Sequence, residues 1–290
     1  LRLRQERQKK VIDEVPQTLI YAVQYFADLD RCNEFMAEVK WQSGKITCPH
    51  CGGESVSPVK GRPKLQCNSG ACRKQFSYKT GTIFEDSPLP LSKWFVAVWF
   101  VVNCKNGISS HEMHRAIGVT QKTGWFMCHR IRKALESGSF AKLAGEVESD
   151  ETFVGGAAKN MHRARREAKI KGRGSVGKQP VHGILERGGM VGAYIHHAVD
   201  HGAGEYVRGP AHTNGLENFW SLLNRALKGT WTHVEPFHLH RYTTEQGFRY
   251  NHRDLNDALR FLLALRGVLG KRLTYRRLCA IGDSGFMGLK

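Results

Sequence analysis

At 290 residues, 41% apolar and 10% aromatic, the chain has material for two or three domains with cores of their own, which excludes a disordered tail. Its 44 Lys and Arg against 26 Asp and Glu leave a net charge of +18, a field suited first to nucleic acid and second to an anionic membrane surface. No apolar run reaches the length of a membrane span, and the opening LRLRQERQKK lacks the apolar core of a secretion signal. Four of the eight cysteines cluster while Cys32, Cys104, Cys128 and Cys279 stand apart. That is a metal pattern rather than a disulfide framework, and it predicts a reducing, cytoplasmic setting.

In chain order, residues 1–44 open with a basic run, read as a solvated face or a DNA-contacting arm, and continue at helical spacing into one or two short helices. Residues 45–82 hold Cys48 and Cys51, then Cys67 and Cys72 after fifteen intervening residues. Two cysteine pairs on tight turns, a hairpin apart, predict a four-cysteine zinc ribbon. Four protein ligands leave no open position, so this zinc is structural. The glycines after Cys51 are expected to let backbone amides turn towards the sulfurs.

Residues 83–145 read as a helical region. A Pro88-Leu89-Pro90 turn leads into a strongly apolar helix, followed by a short helix over 109–116. Gly118 permits a sharp turn, and Thr120 caps a helix running to about Leu135. That spacing predicts a helix-turn-helix-like DNA-binding region, with an ordinary helical hairpin as the alternative. Its second helix carries Lys122, Arg130, Arg132 and Lys133 as candidate DNA contacts, beside Gln121 and His129.

The stretch VESDETFVGG, residues 147–156, reads as a strand ending at Gly155-Gly156. Alternation puts Val147, Ser149, Glu151 and Phe153 on one face and Glu148, Asp150, Thr152 and Val154 on the other. A carboxylate mid-strand costs stability unless something pairs with it, and a divalent cation is the usual partner in phosphoryl-transfer sites. A sheet-edge strand with its acids facing water is the alternative. Residues 159–178 then carry eight Lys or Arg against one Glu, a solvated loop or a clamp on a nucleic-acid backbone. PVHGILERGGMVGAYIHHAV predicts two further strands turning at Gly188-Gly189. In HTNGLENFWSLLNRALKG, Thr213 or Asn214 caps a helix that stops before Gly229. Leu216, Phe219, Trp220, Leu223 and Leu227 form its buried stripe, and Glu217, Ser221, Asn224 and Lys228 share another face. A strand Asp and a helix Glu arriving on one side of a sheet is the arrangement of an RNase H-like nuclease. The remainder reads as helical and basic, and its histidines show no shared spacing that marks them as ligands.

The order of parts resembles the ISXO-like insertion-sequence transposases, which join an N-terminal zinc ribbon to a DDE-type RNase H-like domain. The resemblance is carried by TCPHCG, CRKQFSYKTGTIFEDSPLPLSKW, NCKNGISSHE, GVTQKTGWFM, DETFVGG, HTNGLENFWSLL, HLHRY, FRYNHR and GKRLTYRRL, which span almost the whole chain in family order. It implies an α+β multidomain protein with an RNase H-like α/β domain over 146–290. It also implies DNA cut and joined by two Mg²⁺ or Mn²⁺ ions held between carboxylates. The partners it implies are terminal inverted repeats and target DNA, with a bacterial, nucleoid-associated location and multimers when ends are synapsed. Asp150 matches the first acidic ligand. The third falls on Glu217 or Asn218, with Glu217 favoured because an amide is a weaker ligand.

Two departures bear on activity. Asn224 stands where the family carries a phosphate-holding lysine, a role Arg225 or Lys228 can partly fill. Near 195–197 a helix–strand segment with the middle aspartate is missing, and between Asp150 and Glu217 the one aspartate is Asp200. A transposase cutting and joining element ends is therefore the first expectation. A catalytically inactive derivative that only binds DNA is the second, and a decayed product that does not fold stably is the third.

Overall fold

The computed structural model describes residues 15–136, 147–155, 161–169, 178–186, 191–195, 214–232 and 234–279. In chain order the elements are α1 (Leu19–Tyr25), α2 (Leu29–Lys40), β1 (Val56–Pro58), β2 (Leu65–Cys67), β3 (Gln75–Phe76), α3 (Leu91–Asn103), α4 (Ser110–Ile117) and α5 (Gln121–Leu135). They continue with β4 (Val147–Val154), α6 (Arg163–Lys169), β5 (Gln179–Glu186), β6 (Val191–Ile195), α7 (Asn214–Gly229), α8 (Leu239–Asn251), α9 (Asp257–Arg266) and α10 (Tyr275–Cys279). The fold mixes helix and sheet, as expected. No helix among the described residues is long and apolar enough to cross a membrane.

The described residues divide into two compact units, each discontinuous in sequence. The first runs to Cys104, resumes over Ile108–Glu136 and closes with the stretch from Leu255. Its β1, β2 and β3 form an antiparallel sheet in that order, with Val56 opposite Cys67 and Leu65 opposite Phe76. Trp41, Cys48, Leu65, Cys67 and Phe76 pack as a small core there. The larger core is aromatic: Phe26 lies 4.7 Å from Phe95, and Phe35 stacks on Phe261 at 6.3 Å. The helix pair α4–α5 forms as its caps dictate. Ser109 and Glu112 make a reciprocal capping box, Gly118 takes the left-handed conformation, and Thr120 accepts from the Thr123 amide. The two helices cross closely, because a Cβ on Gly124 would lie 3.1 Å from the Ser110 carbonyl oxygen.

The second unit comprises Lys105–Gly107 and the described residues from 147 to Asp254. Its sheet is antiparallel in the order β4-β5-β6, with Glu148 opposite Leu185, Asp150 opposite Gly183 and Gly183 opposite Ala193. The hairpin expected at Gly188-Gly189 thus joins two observed strands, although the turn itself lies outside the described residues. One sheet face is covered by α7, whose Leu216, Phe219, Trp220 and Leu223 are buried with Val181, Leu185 and Val191. The edge at β6 is finished by a side chain. Asn251 at the end of α8 accepts from the Val191 amide at 2.7 Å and donates to the Val191 carbonyl at 3.0 Å, copying a strand pairing.

Two expectations change. Helix α7 includes Gly229 instead of stopping before it. Part of the basic run read as loop is the helix α6. Beside the first cysteine pair the His50 amide lies 3.4 Å from Cys48 Sγ, and Gly52 takes a positive φ of 75°.

Candidate functional site

Two places in the chain gather chemistry, one in each unit. In the first, the Sγ atoms of Cys48, Cys51, Cys67 and Cys72 all lie within 4.8 Å of one another. Cys48 and Cys72 are 3.9 Å apart, and Cys51 and Cys67 are 3.6 Å apart. A tetrahedral ion with zinc–sulfur bonds of about 2.3 Å sets its sulfurs about 3.8 Å apart, so the donor set fits zinc. Burial pushes the Cys48 thiol up, but the amides of His50 and Cys51 point at the sulfur and bring it down to about 7. Those amides favour the thiolate, the form that binds metal. Among the described residues these four form the only group of three or more Cys, His, Asp or Glu placed to share an ion.

In the second unit, β4 and α7 meet through two acids of one strand face. The alternation expected from sequence holds: Glu148 is buried and Asp150 half-buried on the face towards α7, while Ser149, Glu151 and Phe153 are exposed. Glu148 accepts the amides of Gly215 at 3.1 Å and Leu216 at 3.2 Å, capping the first turn of α7 with a carboxylate. The fit is tight, since a Cβ on Gly215 would lie 2.2 Å from Leu185 Cδ2 and 2.9 Å from Glu148 Oε2. One turn on, the Trp220 indole N–H donates to Asp150 Oδ2 at 3.0 Å, and the Glu151 amide donates to Asp150 Oδ1 at 2.8 Å. Trp220 reaches Asp150 because its ring lies over Gly183, the strand partner of Asp150. A Cβ there would sit 2.5 Å from Trp220 Cζ2.

Helix α7 therefore docks on the strand that carries Asp150 by one carboxylate cap and one indole bond. Glu217 and Asn218 are exposed in its first turns, and Arg225 and Lys228 are exposed further along. Asp200 lies outside the described residues. Sequence reasoning passed over Glu148 as a cap and took Trp220 only for packing. The signal for Glu148 was weak, since it and Gly215 are 67 residues apart.

The candidate DNA contacts of α5 separate. Lys122 is exposed, its ammonium 4.8 Å from the Tyr275 ring centroid. Lys133 is half-buried and paired with Glu136. Arg130 and Arg132 are 4% and 2% exposed. The Arg130 guanidinium donates to the Glu85 carbonyl and lies 5.3 Å from the Trp94 ring centroid. Burial brings its pKa down to about 10. It holds the helix to the chain before α3.

These features agree with what the chain is similar to. Residues 28–75 match the transposase zinc-ribbon domain, and residues 189–251, which include Glu217 and Asn218, match the ISXO2-like transposase domain. The two matches bear out the resemblance to ISXO-like insertion-sequence transposases. A curated relative, described as an uncharacterized protein in transposable element ISH50 of Halobacterium salinarum, is 27% identical over 256 residues, covering 71% of this chain and 85% of that protein. No solved structure matches the chain.

Proposed function

We propose that the chain is an insertion-sequence transposase that binds the ends of its element and cuts and joins DNA at a centre including Asp150 and Glu217. The observation that carries this reading is the Asp150 carboxylate, set mid-strand and oriented by the Trp220 indole of the helix that bears Glu217. In this reading 146–290 is an RNase H-like domain with the aspartate on its first strand and the glutamate on a helix over the sheet. The zinc ribbon and the α4–α5 pair, a helix-turn-helix-like element with Lys122 on its surface, recognise end DNA. Arg225 and Lys228 hold phosphates where Asn224 supplies no charge.

Carboxylate oxygens suit Mg²⁺ or Mn²⁺. Among the described residues, however, Asp150 and Glu217 belong to no group of three or more Cys, His, Asp or Glu placed to share an ion, and the Glu148 carboxylate on the same strand face is engaged by the Gly215 and Leu216 amides. That shortage favours a second reading, a derivative that binds element ends without chemistry. The test is footprinting on the element's ends and on scrambled duplex, followed by a search for nicked products with Mg²⁺ and with Mn²⁺. End-specific protection with nicking at the element boundary is expected. Protection without nicks leaves the second reading, and no end-specific protection refutes both.

A further inference from the structure

Strands β4 and β5 pair to their very ends, with Val154 opposite Gln179. The backbone at Gly155 and Lys178 stays close: a Cβ on Gly155 would lie 3.1 Å from Lys178 Cα. Between these two positions in sequence lies α6, seven residues reading RARREAK. Every residue of α6 whose burial is described, from Arg163 to Ala168, is exposed. A helix this short is marginal in water, and its two alanines, Ala164 and Ala168, are exposed and bury no apolar face.

Its charges do not support it either. Arg163 and Arg166 lie three residues apart, neighbours on one face, and like charges so placed oppose the helix. The Arg163–Glu167 pair, 2.9 Å apart, has side chains 85% and 61% exposed and contributes little. Arg166 makes no side-chain bond among the described residues, and exposed Lys178 stands beside Gly155 at the end of the strand pair. Residues 159–178 hold eight cations against one acid. Cations repeated on a helix that buries nothing match a row of regularly spaced anions, which is what the phosphate backbone of duplex DNA provides.

We propose that α6 is a second DNA-contacting surface, on which Arg163 and Arg166 hold backbone phosphates of duplex DNA without reading its sequence. The inference rests on the DNA-binding reading of the whole chain, and on none of Asp150, Glu217 or Lys122. Binding of the full, zinc-loaded chain is to be measured over a salt series on a duplex carrying the element end and on an unrelated duplex. The proteins are wild type, Arg163→Gln/Arg166→Gln and Arg163→Lys/Arg166→Lys. At about 0.9 per phosphate contact, the Gln pair is expected to lower the slope of log K against log salt by about 1.8. Both duplexes should weaken about equally, and the Lys pair should keep the slope. The thermal melt should not move, because both side chains are exposed. An unchanged slope in the Gln pair overturns the proposal while leaving DNA binding intact, and so does a loss confined to the element-end duplex. A wild type that binds neither duplex overturns the DNA-binding reading as well.

Discussion

Gly183→Ala tests how α7 is seated on the sheet. Gly183 shows no left-handed backbone, and in an open strand Ala in place of Gly stabilises by about 0.5–1 kcal/mol. Here the added Cβ would meet Trp220 Cζ2 at 2.5 Å, Trp220 Cη2 at 2.8 Å and Leu216 Cδ2 at 2.9 Å. The indole cannot yield as a flexible side chain would, because it is 6% exposed, packs on Phe219 at 5.1 Å and is bonded to Asp150. Overpacking of this kind costs about 1–3 kcal/mol. Less the strand gain, the net loss is about 0–2.5 kcal/mol.

In a Trp220→Ala background the obstruction at the indole is gone, and the same substitution should become near neutral or stabilising. The coupling between the two positions is then about 1–3 kcal/mol. Since the chain has two units, a single unfolding curve is a poor measure. Native-state hydrogen exchange at the β5 and α7 amides reports the second unit alone. Equal effects of Gly183→Ala with and without Trp220 would refute the seating described.

Glu148→Ala removes the acceptor for two helix amides and should cost about 1–2 kcal/mol, seen as faster exchange at Gly215 and Leu216 with little change in the first unit. Chelation of zinc, or Cys72→Ser, should leave reactive thiols at the remaining cysteines and lower the melting temperature. Metal analysis before and after, set against thiol titration, checks this. Arg130→Ala should destabilise the first unit by about 2 kcal/mol, since it empties a buried site against Trp94 and leaves the Glu85 carbonyl without its donor. Lys122→Ala should leave the melt in place and weaken DNA binding. A thermal melt beside a binding isotherm separates the two.

The parts legible in sequence were those with short-range signals. The cysteine spacing set the metal cluster, since each pair sits on its own turn. Period-two alternation gave the faces of β4 correctly, and the helical spacing with the Gly118 and Thr120 signals gave α4 and α5 almost to the residue. What sequence did not reveal depends on meetings across long separations. Glu148 reads as one more strand acid until Gly215 and Leu216 are brought to it, and Asn251 as a polar helix residue until it finishes the edge at Val191. Arg130 and Arg132 read from sequence as surface cations, while α5 is buried on more than one face. Met127, Cys128, Ile131 and Ala134 of the same helix are buried too, and the Arg130 guanidinium is engaged by the Glu85 carbonyl and the Trp94 ring. Asp200, the one candidate for a middle acid between Asp150 and Glu217, lies outside the described residues.

The most direct measurement is strand transfer by the full chain on DNA bearing the element's ends, with Mg²⁺ and with Mn²⁺, for wild type, Asp150→Ala and Trp220→Phe. The account predicts joined product from wild type and none from Asp150→Ala. Trp220→Phe should reduce joining, because the ring is kept while the indole donor to Asp150 is lost. Joining that survives Asp150→Ala undiminished, or its absence from wild type under both metals, would contradict it.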